Sequence, residues 1–399
     1  PDRAGPRHAP AAQDMSAFGP LLPGSTLGVM GGGQLGRMFV HAAQRMGYRT
    51  VVLDPDADSP AGRVSETHLQ FPYLSCEGLQ RLAASCDAIT TEFENVPSEA
   101  LAQLQDRARE KAHFLKCGVP VAPHQVIHTA AELPGVSPGL FPGILKTTRL
   151  GYDGKGQIRV TQASDLAQAW QTLQGQATTP VTCVLEKMLP LAAECSVIVA
   201  RGADGQQVQL PIQRNLHREG ILAVTEVFPE AIDPEFSRQA IAAAQAVAEG
   251  LNYVGVLCVE FFLLAPGPER DALGPLVVNE MAPRPHNSGH HSQDACDVSQ
   301  FELQVRCMTG LPLTPPRQHS PALMLNLLGD LWFTHKNAPP KEPPWAAVLA
   351  LPGTHLHLYG KAAARAGRKM GHLNITGVSS EAVRATALQA ATLLGIAPF

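Results

Sequence analysis

The segment that most constrains the fold of this chain is a glycine-rich turn between an apolar run and an amphipathic helix. The run "TLGVM" begins at Thr26 and leads directly into "GGGQLGRMFVHAAQRMG". This order is typical of a strand that ends in a tight turn and opens a helix, whose N-terminus attracts an anion. The apolar runs "YRTVVLD" and "CDAITTEF" follow, with the helical stretch "GLQRLAASC" before the second. The alternation of strands and helices predicts a parallel α/β domain.

The glycine turn itself, Gly31–Gly36, satisfies the pattern G-x-G-x-x-G, and Asp54 ends the next predicted strand. One interpretation is a dinucleotide site, in which the helix N-terminus holds a pyrophosphate. The same turn occurs in α/β domains that bind no dinucleotide, so the pattern alone leaves both interpretations open.

Beyond this domain, the patterns change to mixed helices and strands. A small α+β unit runs to about residue 188, and a larger one runs to about residue 315. A proline-rich linker, "LPLTPPRQHSP", then leads to a short α+β tail. Residues 1–24 are rich in Pro and Ala and lack the apolar stretch of a secretory signal, so we predict a flexible extension.

Charge and cysteine content exclude several functional classes. The formal net charge is -4, so the chain lacks the basic excess of proteins that bind nucleic acid or anionic membranes. It has no run of eighteen apolar residues, and we expect no membrane span. The eight cysteines form no C-x-x-C pair, which favours reduced thiols in the cytosol over a zinc site or a disulfide framework.

A first candidate for phosphate chemistry is Lys146, followed by the loop Gly151–Gln157. A strand lysine before a glycine-rich loop can clamp phosphate, because it offers a point charge and backbone N–H donors. The alternative is a glycine hairpin with solvated charges. Glu186 and Glu194 further along could accept hydrogen bonds from an adenine amine or ribose hydroxyls, but this signal is weak by itself.

Two glutamates interrupt strongly apolar predicted strands, Glu260 in "CVEFFL" and Glu280 in "VVNEMAPRPHNSGHH". A buried glutamate is unfavourable unless it is paired or binds a metal. On neighbouring strands the two carboxylates can link Mg²⁺ to a triphosphate, with help from Asn279 or Asn287. A pair of salt-bridged core glutamates is the alternative.

The polar cluster after Glu280 indicates an anion or substrate pocket, with Arg284, His286, Asn287 and His290 close to two prolines. Zinc binding by His286, His290 and His291 is the alternative, although no distant ligand motif accompanies it.

A basic loop near the C-terminus, "YGKAAARAGRKMGH", carries four cations that could bind a ribonucleotide phosphate or simply be solvated. They are Lys361, Arg365, Arg368 and Lys369.

Taken together, the motifs resemble the ATP-grasp superfamily, and within it the 5-(carboxyamino)imidazole ribonucleotide synthase family. The segments "GGGQLGRM", "TTEFENVP", "GYDGKGQ", "NLHREGI", "NEMAPRPHNSGHH" and "HLYGKAAARAGRKMGH" occur in the family's order, from about Thr26 to Gly377. The resemblance implies an ATP-grasp fold of mixed α/β and α+β class. The implied segments are a Rossmann-like pre-ATP-grasp domain (25–105), a small lid subdomain (106–188), a large subdomain (189–315) and a C-terminal α+β domain (316–399).

The resemblance also implies which residues bind each ligand, and it replaces the dinucleotide interpretation of the glycine turn with a ribonucleotide site. ATP would contact Arg107, Lys146, Gly151, Tyr152, Asp153, Gly154, Lys155, Gly156, Gln157, Glu186, Lys187, Met188, Leu189, Glu194, His217, Asn279 and Glu280. The substrate 5-aminoimidazole ribonucleotide would contact Gly33, Gln34, Leu35, Glu92, Asn95, Tyr152, Asp153, Arg284, Lys361 and Arg368. Glu260 and Glu280 would hold magnesium, with two ions expected. The implied catalytic residues, near bicarbonate, are Arg284, His286, Asn287 and Lys155.

The implied reaction has two steps, in which bicarbonate first attacks the γ-phosphate of ATP and the ribonucleotide amine then takes the carboxyl, either directly or as released CO₂. Because carboxyphosphate hydrolyses readily, water must be excluded, and we expect the 151–156 loop to close as a lid. Family members tend to be homodimers. The alternatives are another ATP-grasp ligase, such as formate-dependent glycinamide ribonucleotide transformylase or a biotin carboxylase, an NAD-dependent oxidoreductase, and a non-catalytic nucleotide-binding regulator.

Overall fold

The structure is a computed structural model that describes residues 19–92, 106–149, 156–175, 180–335 and 338–399. Most of the predicted N-terminal extension, residues 1–18, therefore lies outside the described residues. The predicted ligand contacts at Asn95 and Gly151–Lys155 also lie outside them, as does most of the predicted lid loop.

The N-terminal domain contains the parallel sheet that the glycine turn predicts. Its elements are β1 (Thr26–Met30), α1 (Gln34–Arg45), β2 (Arg49–Leu53), β3 (Thr67–Leu69), α2 (Cys76–Ser85) and β4 (Ala88–Thr91). The strand order is β3-β2-β1-β4, and all neighbours are parallel. Helix α1 packs because its apolar residues recur on one face, with Phe39 and Ala43 fully buried.

A second, antiparallel sheet follows in the order β5-β8-β6-β7. This region contains α3 (Arg107–Lys116), β5 (His124–Ile127), β6 (Gly143–Thr147), β7 (Gln157–Val160), α4 (Leu166–Gly175) and β8 (Cys183–Lys187). Helix α4 covers the sheet with Leu166, Trp170 and Leu173, which are buried in one apolar cluster with Leu145 and Leu185. The predicted strands on either side of the glycine-rich loop are confirmed as β6 and β7.

The largest sheet has the order β14-β13-β9-β11-β12-β15-β17-β16, with β10 paired to β9. Its first elements are β9 (Leu191–Arg201), β10 (Gln207–Gln209), β11 (Gln213–Arg218), β12 (Ile221–Val227), α5 (Pro234–Gly250), β13 (Gly255–Leu264), α6 (Pro268–Leu273) and β14 (Leu276–Ala282). The later elements are α7 (Ser292–Ala295), α8 (Gln300–Thr309), β15 (Ala322–Leu328), α9 (Trp345–Leu349), β16 (Thr354–Leu358), β17 (Lys369–Thr376) and α10 (Ser380–Leu394). The sheet thus continues through β15, β17 and β16 of the C-terminal region. Within this region, β17 pairs with both β15 and β16, in agreement with the predicted α+β tail.

The long helix α5 shows why this sheet forms a thick core. Asp233 caps its N-terminus by accepting from the backbone N–H of Glu235, and Pro234 occupies the first helical position. Ala240, Ala244 and Val247 repeat at helical spacing and are fully buried against β9 and β13. Small side chains on this face let the helix approach the sheet closely.

The N-terminal domain is held on the large sheet by helix α8. Phe301 and Val305 of α8 share one buried cluster with Phe39 of α1 and with Tyr359, which follows β16. This packing brings the glycine turn, the segment after β14 and the basic loop into one region of the molecule. Within the described residues, no helix is long and apolar enough to cross a membrane.

Candidate active site

The centre of the site is a pair of carboxylates on adjacent strands. Glu260 of β13 lies directly opposite Glu280 of β14, and a bulge leaves Asn279 without a cross-strand partner in this register. His286 Nε2 lies 2.9 Å from Glu260 Oε1, and Arg107 Nη1 donates to Glu280 Oε2 at 2.9 Å. Burial alone would raise the pKa of Glu260, but His286 and other nearby cations lower it to about 2. Glu260 therefore stays ionised at neutral pH.

This arrangement fits a magnesium ion. Glu260 and Glu280 supply hard carboxylate oxygens, and Asn279 Oδ1 is buried without a hydrogen-bond partner in the described part of the chain. Mg²⁺ prefers such oxygen donors. Cys258 also lies within 4.8 Å of the ligand atoms of Glu260 and His286. Because burial raises the pKa of Cys258 well above its ordinary value, the thiol remains neutral and adds no negative charge here.

A row of polar side chains extends this face of the sheet. Ser196 of β9 lies opposite both Glu260 and Gln213, and its hydroxyl receives a hydrogen bond from Asn215 at 2.9 Å. The hydroxyls of Ser196 and Ser288 lie 2.8 Å apart. Sequence analysis missed these residues. The alternation of Gln213, Asn215 and His217 in β11 is a period-two signal that predicts one shared polar face.

His217 and Glu194 lie at the edge of the same face. His217 Nδ1 is 2.6 Å from Glu194 Oε2. Burial lowers the pKa of His217, but Glu194, Glu260 and Glu280 together raise it above its ordinary value. The protonated form of His217 is therefore favoured beside the carboxylates, as expected for a group that contacts phosphate.

A second charged centre joins β6, β8 and α3. Lys146 Nζ donates to Glu186 Oε2 at 2.9 Å, and Lys111 Nζ lies 3.1 Å from Glu186 Oε1. Burial would raise the pKa of Glu186, but the two lysines and Arg107 lower it to about 2. Sequence analysis missed Lys111. Its spacing of four residues from Arg107 was the available signal, because it places both cations on one face of α3.

The segment after β8 carries the remaining predicted nucleotide contacts that the structure describes. Lys187 Nζ lies 3.1 Å from Glu269 Oε1, and the backbone N–H of Met188 donates to Pro142 O at 2.9 Å. Met188 and Leu189 are partly exposed, so this strand end has accessible surface beside Glu186. Gly156 has a φ of +70°, and Gln157 begins β7.

The glycine turn is already occupied by protein carboxylates. Glu92 accepts hydrogen bonds from the backbone N–H groups of Gly33 at 2.8 Å and Gly36 at 2.6 Å, and Asp54 accepts one from Gly32 at 2.6 Å. A Cβ atom at Gly33 would lie only 2.2 Å from Glu92 Oε1, so this approach requires glycine. Because two carboxylates fill the place of a pyrophosphate and would repel it, the turn is unsuited to a dinucleotide.

The basic loop lies between the glycine turn and the paired glutamates. Burial raises the pKa of Glu92 and the charge of Lys361 opposes that rise, while Lys369 helps to lower the pKa of Glu260. Lys361 Nζ donates to Lys369 O at 2.6 Å, and Arg368 Nη1 donates to Ala363 O at 2.8 Å. The structure thus brings this predicted loop to the site.

The predicted substrate pocket after β14 lies beside Glu260. Asn287 is buried, and both its amide nitrogen and its amide oxygen lack a hydrogen-bond partner among the described residues. Arg284 Nη1 donates to Pro285 O at 3.3 Å, and Gln34 and Leu35 at the start of α1 are partly exposed. A buried amide without a partner is unfavourable in the free protein, so Asn287 is suited to bind a polar ligand.

Two histidines of the alternative zinc site, His290 and His291, are instead packed in the core. His290 Nδ1 contacts Gln300 at 3.0 Å, and His291 Nδ1 contacts Ser288 O at 2.9 Å. His290 also packs against His372, with ring centroids 4.6 Å apart. Burial lowers the pKa of all three, to about 4 for His291. In the described residues, His286, His290 and His291 form no common metal-ligand group.

These neutral histidines predict a measurable effect of acid on stability. The folded-state pKa of His372 lies well below that of the unfolded chain, because the buried ring cannot be solvated when charged. The unfolded chain therefore binds the extra proton, and His372 makes folding less favourable as pH falls below about 6.5. The free energy of unfolding of the wild type, minus that of His372→Asn, should fall by about 1 kcal/mol between pH 7.5 and 5.5.

Urea unfolding of the two proteins at both pH values measures this difference directly. Taking the difference between the two proteins cancels the contribution of other groups whose effect on stability changes with pH in the opposite direction. Glu110 is one such group, because burial raises its pKa to about 7. Substitution of the exposed His128 by Asn provides the control, because its difference from the wild type should not change with pH. A pH-independent difference for His372→Asn would contradict the prediction.

Models of three protein families match successive parts of the chain. The ribonucleotide synthetase preATP-grasp domain matches residues 25–114, and the ATP-grasp domain matches residues 112–301. The C-terminal domain of phosphoribosylaminoimidazole carboxylase matches residues 322–386.

Whole-chain similarity points in the same direction. N5-carboxyaminoimidazole ribonucleotide synthase from Brucella melitensis is 40% identical, over 88% of this chain and 96% of that protein. The structure of the Staphylococcus aureus N5-carboxyaminoimidazole synthetase with ADP is 34% identical, with a TM-score of 0.82 and coverage of 94% of this chain and 99% of that one. An Aspergillus clavatus synthase, solved with ADP and 5-aminoimidazole ribonucleotide, is 28% identical, with a TM-score of 0.80 and coverage of 93% and 99%.

Proposed function

Because the chain belongs to the N5-carboxyaminoimidazole ribonucleotide synthase family, we propose that it uses ATP to carboxylate the 5-amino group of 5-aminoimidazole ribonucleotide in purine biosynthesis. The family is the one that the sequence motifs resemble. We further propose bicarbonate as the source of the carboxyl group, with ADP and phosphate as the other products.

The observation that carries this proposal is the register of β13 and β14, which sets Glu260 opposite Glu280. The paired carboxylates lie beside Arg107 and His286 and on the same sheet face as His217. An enzyme that transfers a phosphoryl group needs this combination of carboxylates for a metal and cations for phosphate oxygens.

ATP would bind between the Lys146–Glu186 centre and the paired glutamates. Lys146 and Arg107 would contact phosphate oxygens, and the 151–157 loop would cover them, with Lys155 supplying a further charge. Glu186, the segment Lys187–Leu189 and Glu194 would receive the adenosine. Two observations support these roles: buried Glu186 pairs with Lys146, and Met188 just beyond the same strand is partly exposed.

Magnesium would be held by Glu260 and Glu280, with Asn279 beside them, and two ions would fit the charge of a triphosphate. When bound, the metal neutralises negative charge that develops on the transferred phosphoryl group. In the protein itself, Arg107 holds Glu280 by an ion pair and His286 holds Glu260. Both carboxylates are thereby positioned for a cation.

The carboxyl transfer would follow in the pocket formed by Arg284, His286 and Asn287. A bicarbonate oxygen attacks the γ-phosphorus, the bond to ADP breaks, and carboxyphosphate forms. The ribonucleotide amine then bonds to the carboxyl carbon, loses a proton, and phosphate leaves. Arg284 would bind the negative charge of the intermediate, and the orphaned amide of Asn287 would orient it.

The ribonucleotide would lie between the glycine turn and the basic loop. Lys361 and Arg368 would bind its phosphate, and Gly33–Leu35 would line another part of the ribonucleotide site. Glu92, Asn95, Tyr152 and Asp153 would complete the site. Glu92 is held rigidly by two backbone N–H groups, which supports a positioning role.

ADP release by the purified protein with Mg-ATP tests the function directly. We expect release to require bicarbonate and to rise strongly when 5-aminoimidazole ribonucleotide is added. Replacing that substrate by glycinamide ribonucleotide with formate tests the alternative transformylase, and it should give only the background rate. Stimulation by formate, or none by 5-aminoimidazole ribonucleotide, would refute the proposed acceptor.

We also propose a homodimer in the cytoplasm, as is usual for the family. All eight cysteines are free thiols, which supports a reducing compartment. Sedimentation equilibrium of the purified chain checks the dimer, and a monomer mass across micromolar concentrations would exclude it.

A further inference from the structure

Lys111 is a buried cation for which the proposed reaction has no assigned use. Its side chain is 1% exposed, and its ammonium lies 3.1 Å from Glu186 Oε1. That contact is an ion pair without hydrogen-bond geometry, since Lys111 Nζ has no hydrogen-bond acceptor among the described residues. Lys146, in contrast, donates a well-formed hydrogen bond to the other oxygen of Glu186. One buried carboxylate is therefore shared by two lysines with unequal contacts.

The two lysines come from different structural units. Lys146 and Glu186 lie on β6 and β8 of the small antiparallel sheet. Lys111 lies on α3, which packs on β14 and α5 of the large sheet, and Phe114 of α3 is fully buried in that core. The position of Lys111 is thus fixed by the large sheet.

Two lysines near Glu186 allow the carboxylate to keep a nearby positive charge when a nucleotide binds. A single lysine would neutralise Glu186 in the free protein, and its departure would leave a buried carboxylate without a partner, which is strongly unfavourable. With two lysines, one can move to a phosphate while the other remains. Lys146 is the lysine that the proposed function assigns to phosphate, whereas Lys111 lies on a helix that packs on the large sheet.

We propose that Lys111 is a positioning residue that keeps Glu186 neutralised when Lys146 leaves it to bind the phosphates of ATP. The inference rests on the proposed function in one respect, that the site binds ATP. Lys111 acts through Glu186, and contact with the nucleotide is not part of its role. The two lysines together hold the pKa of Glu186 low, which agrees with a carboxylate that stays charged throughout.

Calorimetric titration with Mg-ADP tests the proposal without the carboxylation reaction. Lys111→Met keeps most of the apolar stem and removes the charge, so Lys146 remains bound to Glu186 and Kd for Mg-ADP should rise about tenfold or more. In assays, the KM for ATP should rise in parallel, while the KM for the ribonucleotide should not change. Lys111→Arg, which restores the charge, should recover most of the affinity.

A double-variant cycle separates action through Glu186 from direct contact with the nucleotide. In the Glu186→Gln background there is no carboxylate to neutralise, so adding Lys111→Met should change Kd less than about twofold. Lys116→Met is the matched control, since Lys116 is exposed at the end of the same helix and should have no effect. If Lys111→Met alone does not fold, the proposal is tested with Lys111→Arg and with the double variant Lys111→Met/Glu186→Gln. Both of these proteins should bind Mg-ADP.

Two results would overturn the inference while leaving the proposed function intact. One is wild-type affinity of folded Lys111→Met for Mg-ADP. The other is an equal loss of affinity from Lys111→Met in both backgrounds. If the wild-type protein itself did not bind Mg-ADP, the proposed function would fail and this inference with it.

Discussion

Replacement of Glu280 by glutamine should lower kcat by about three orders of magnitude while the protein stays folded. The substitution keeps the shape of the side chain and removes the charge that would hold magnesium opposite Glu260. Loss of that placement removes several kcal/mol of stabilisation from the transferring phosphoryl group, and each 1.4 kcal/mol is a factor of ten in rate. Glu280 is partly exposed, so the neutral amide can be solvated and the fold should tolerate it.

The measurement is the steady-state rate of ADP release at saturating ATP, bicarbonate and ribonucleotide, with thermal unfolding as a check on folding. Glu249→Gln is the matched control, because Glu249 is an exposed glutamate on α5. Its rate should equal that of the wild type. A Glu280→Gln protein with a rate within tenfold of wild type would show that the metal does not depend on this carboxylate.

Replacement of Lys361 by alanine should raise the KM for 5-aminoimidazole ribonucleotide by about tenfold to a hundredfold and change kcat much less. A lysine that binds the non-reacting phosphate contributes equally in the ground state and the transition state, so its loss appears in KM. Charge-assisted hydrogen bonds of this kind contribute about 1.5–3 kcal/mol, which corresponds to the expected factor. Lys361 lies near enough to Glu92 of the glycine turn to influence the pKa of its carboxyl.

Initial rates over a range of ribonucleotide concentrations, at saturating ATP, provide the test. The KM for ATP should not change, which separates this lysine from those of the nucleotide site. Lys341→Ala is the control, since Lys341 is an exposed lysine whose side chain has no role in the site. If Lys361→Ala leaves the KM for the ribonucleotide unchanged, the phosphate of the ribonucleotide does not bind at the basic loop.

Local pattern was sufficient for most of the secondary structure. The glycine turn with its flanking apolar runs predicted β1, α1 and a parallel sheet, and all three are present. Apolar stretches interrupted by Glu260 and Glu280 predicted β13 and β14, and both strands are present. These features depend on neighbouring residues only, because helix and strand periodicities and turn geometry are set within a few positions of the chain.

The glycine turn also shows the limit of local pattern. By itself, the turn was compatible with a dinucleotide site and also with an α/β domain that binds no dinucleotide. The structural answer comes from Glu92, which lies 59 residues beyond Gly33 and occupies the N–H groups that a pyrophosphate would need. Only the pairing of β4 with β1 brings that carboxylate to the turn.

What the sequence by itself determined about this protein is the set of strands and helices, the chemical types of the site residues and, through its motifs, the family. What only the tertiary structure decided is which of those residues meet. The bulge at Asn279 sets Glu260 opposite Glu280, and the packing of α3 on the large sheet brings Lys111 to Glu186. The physical reason is that strand register and helix packing minimise the free energy of the whole core, so contacts between distant residues depend on burial and pairing that no short segment contains.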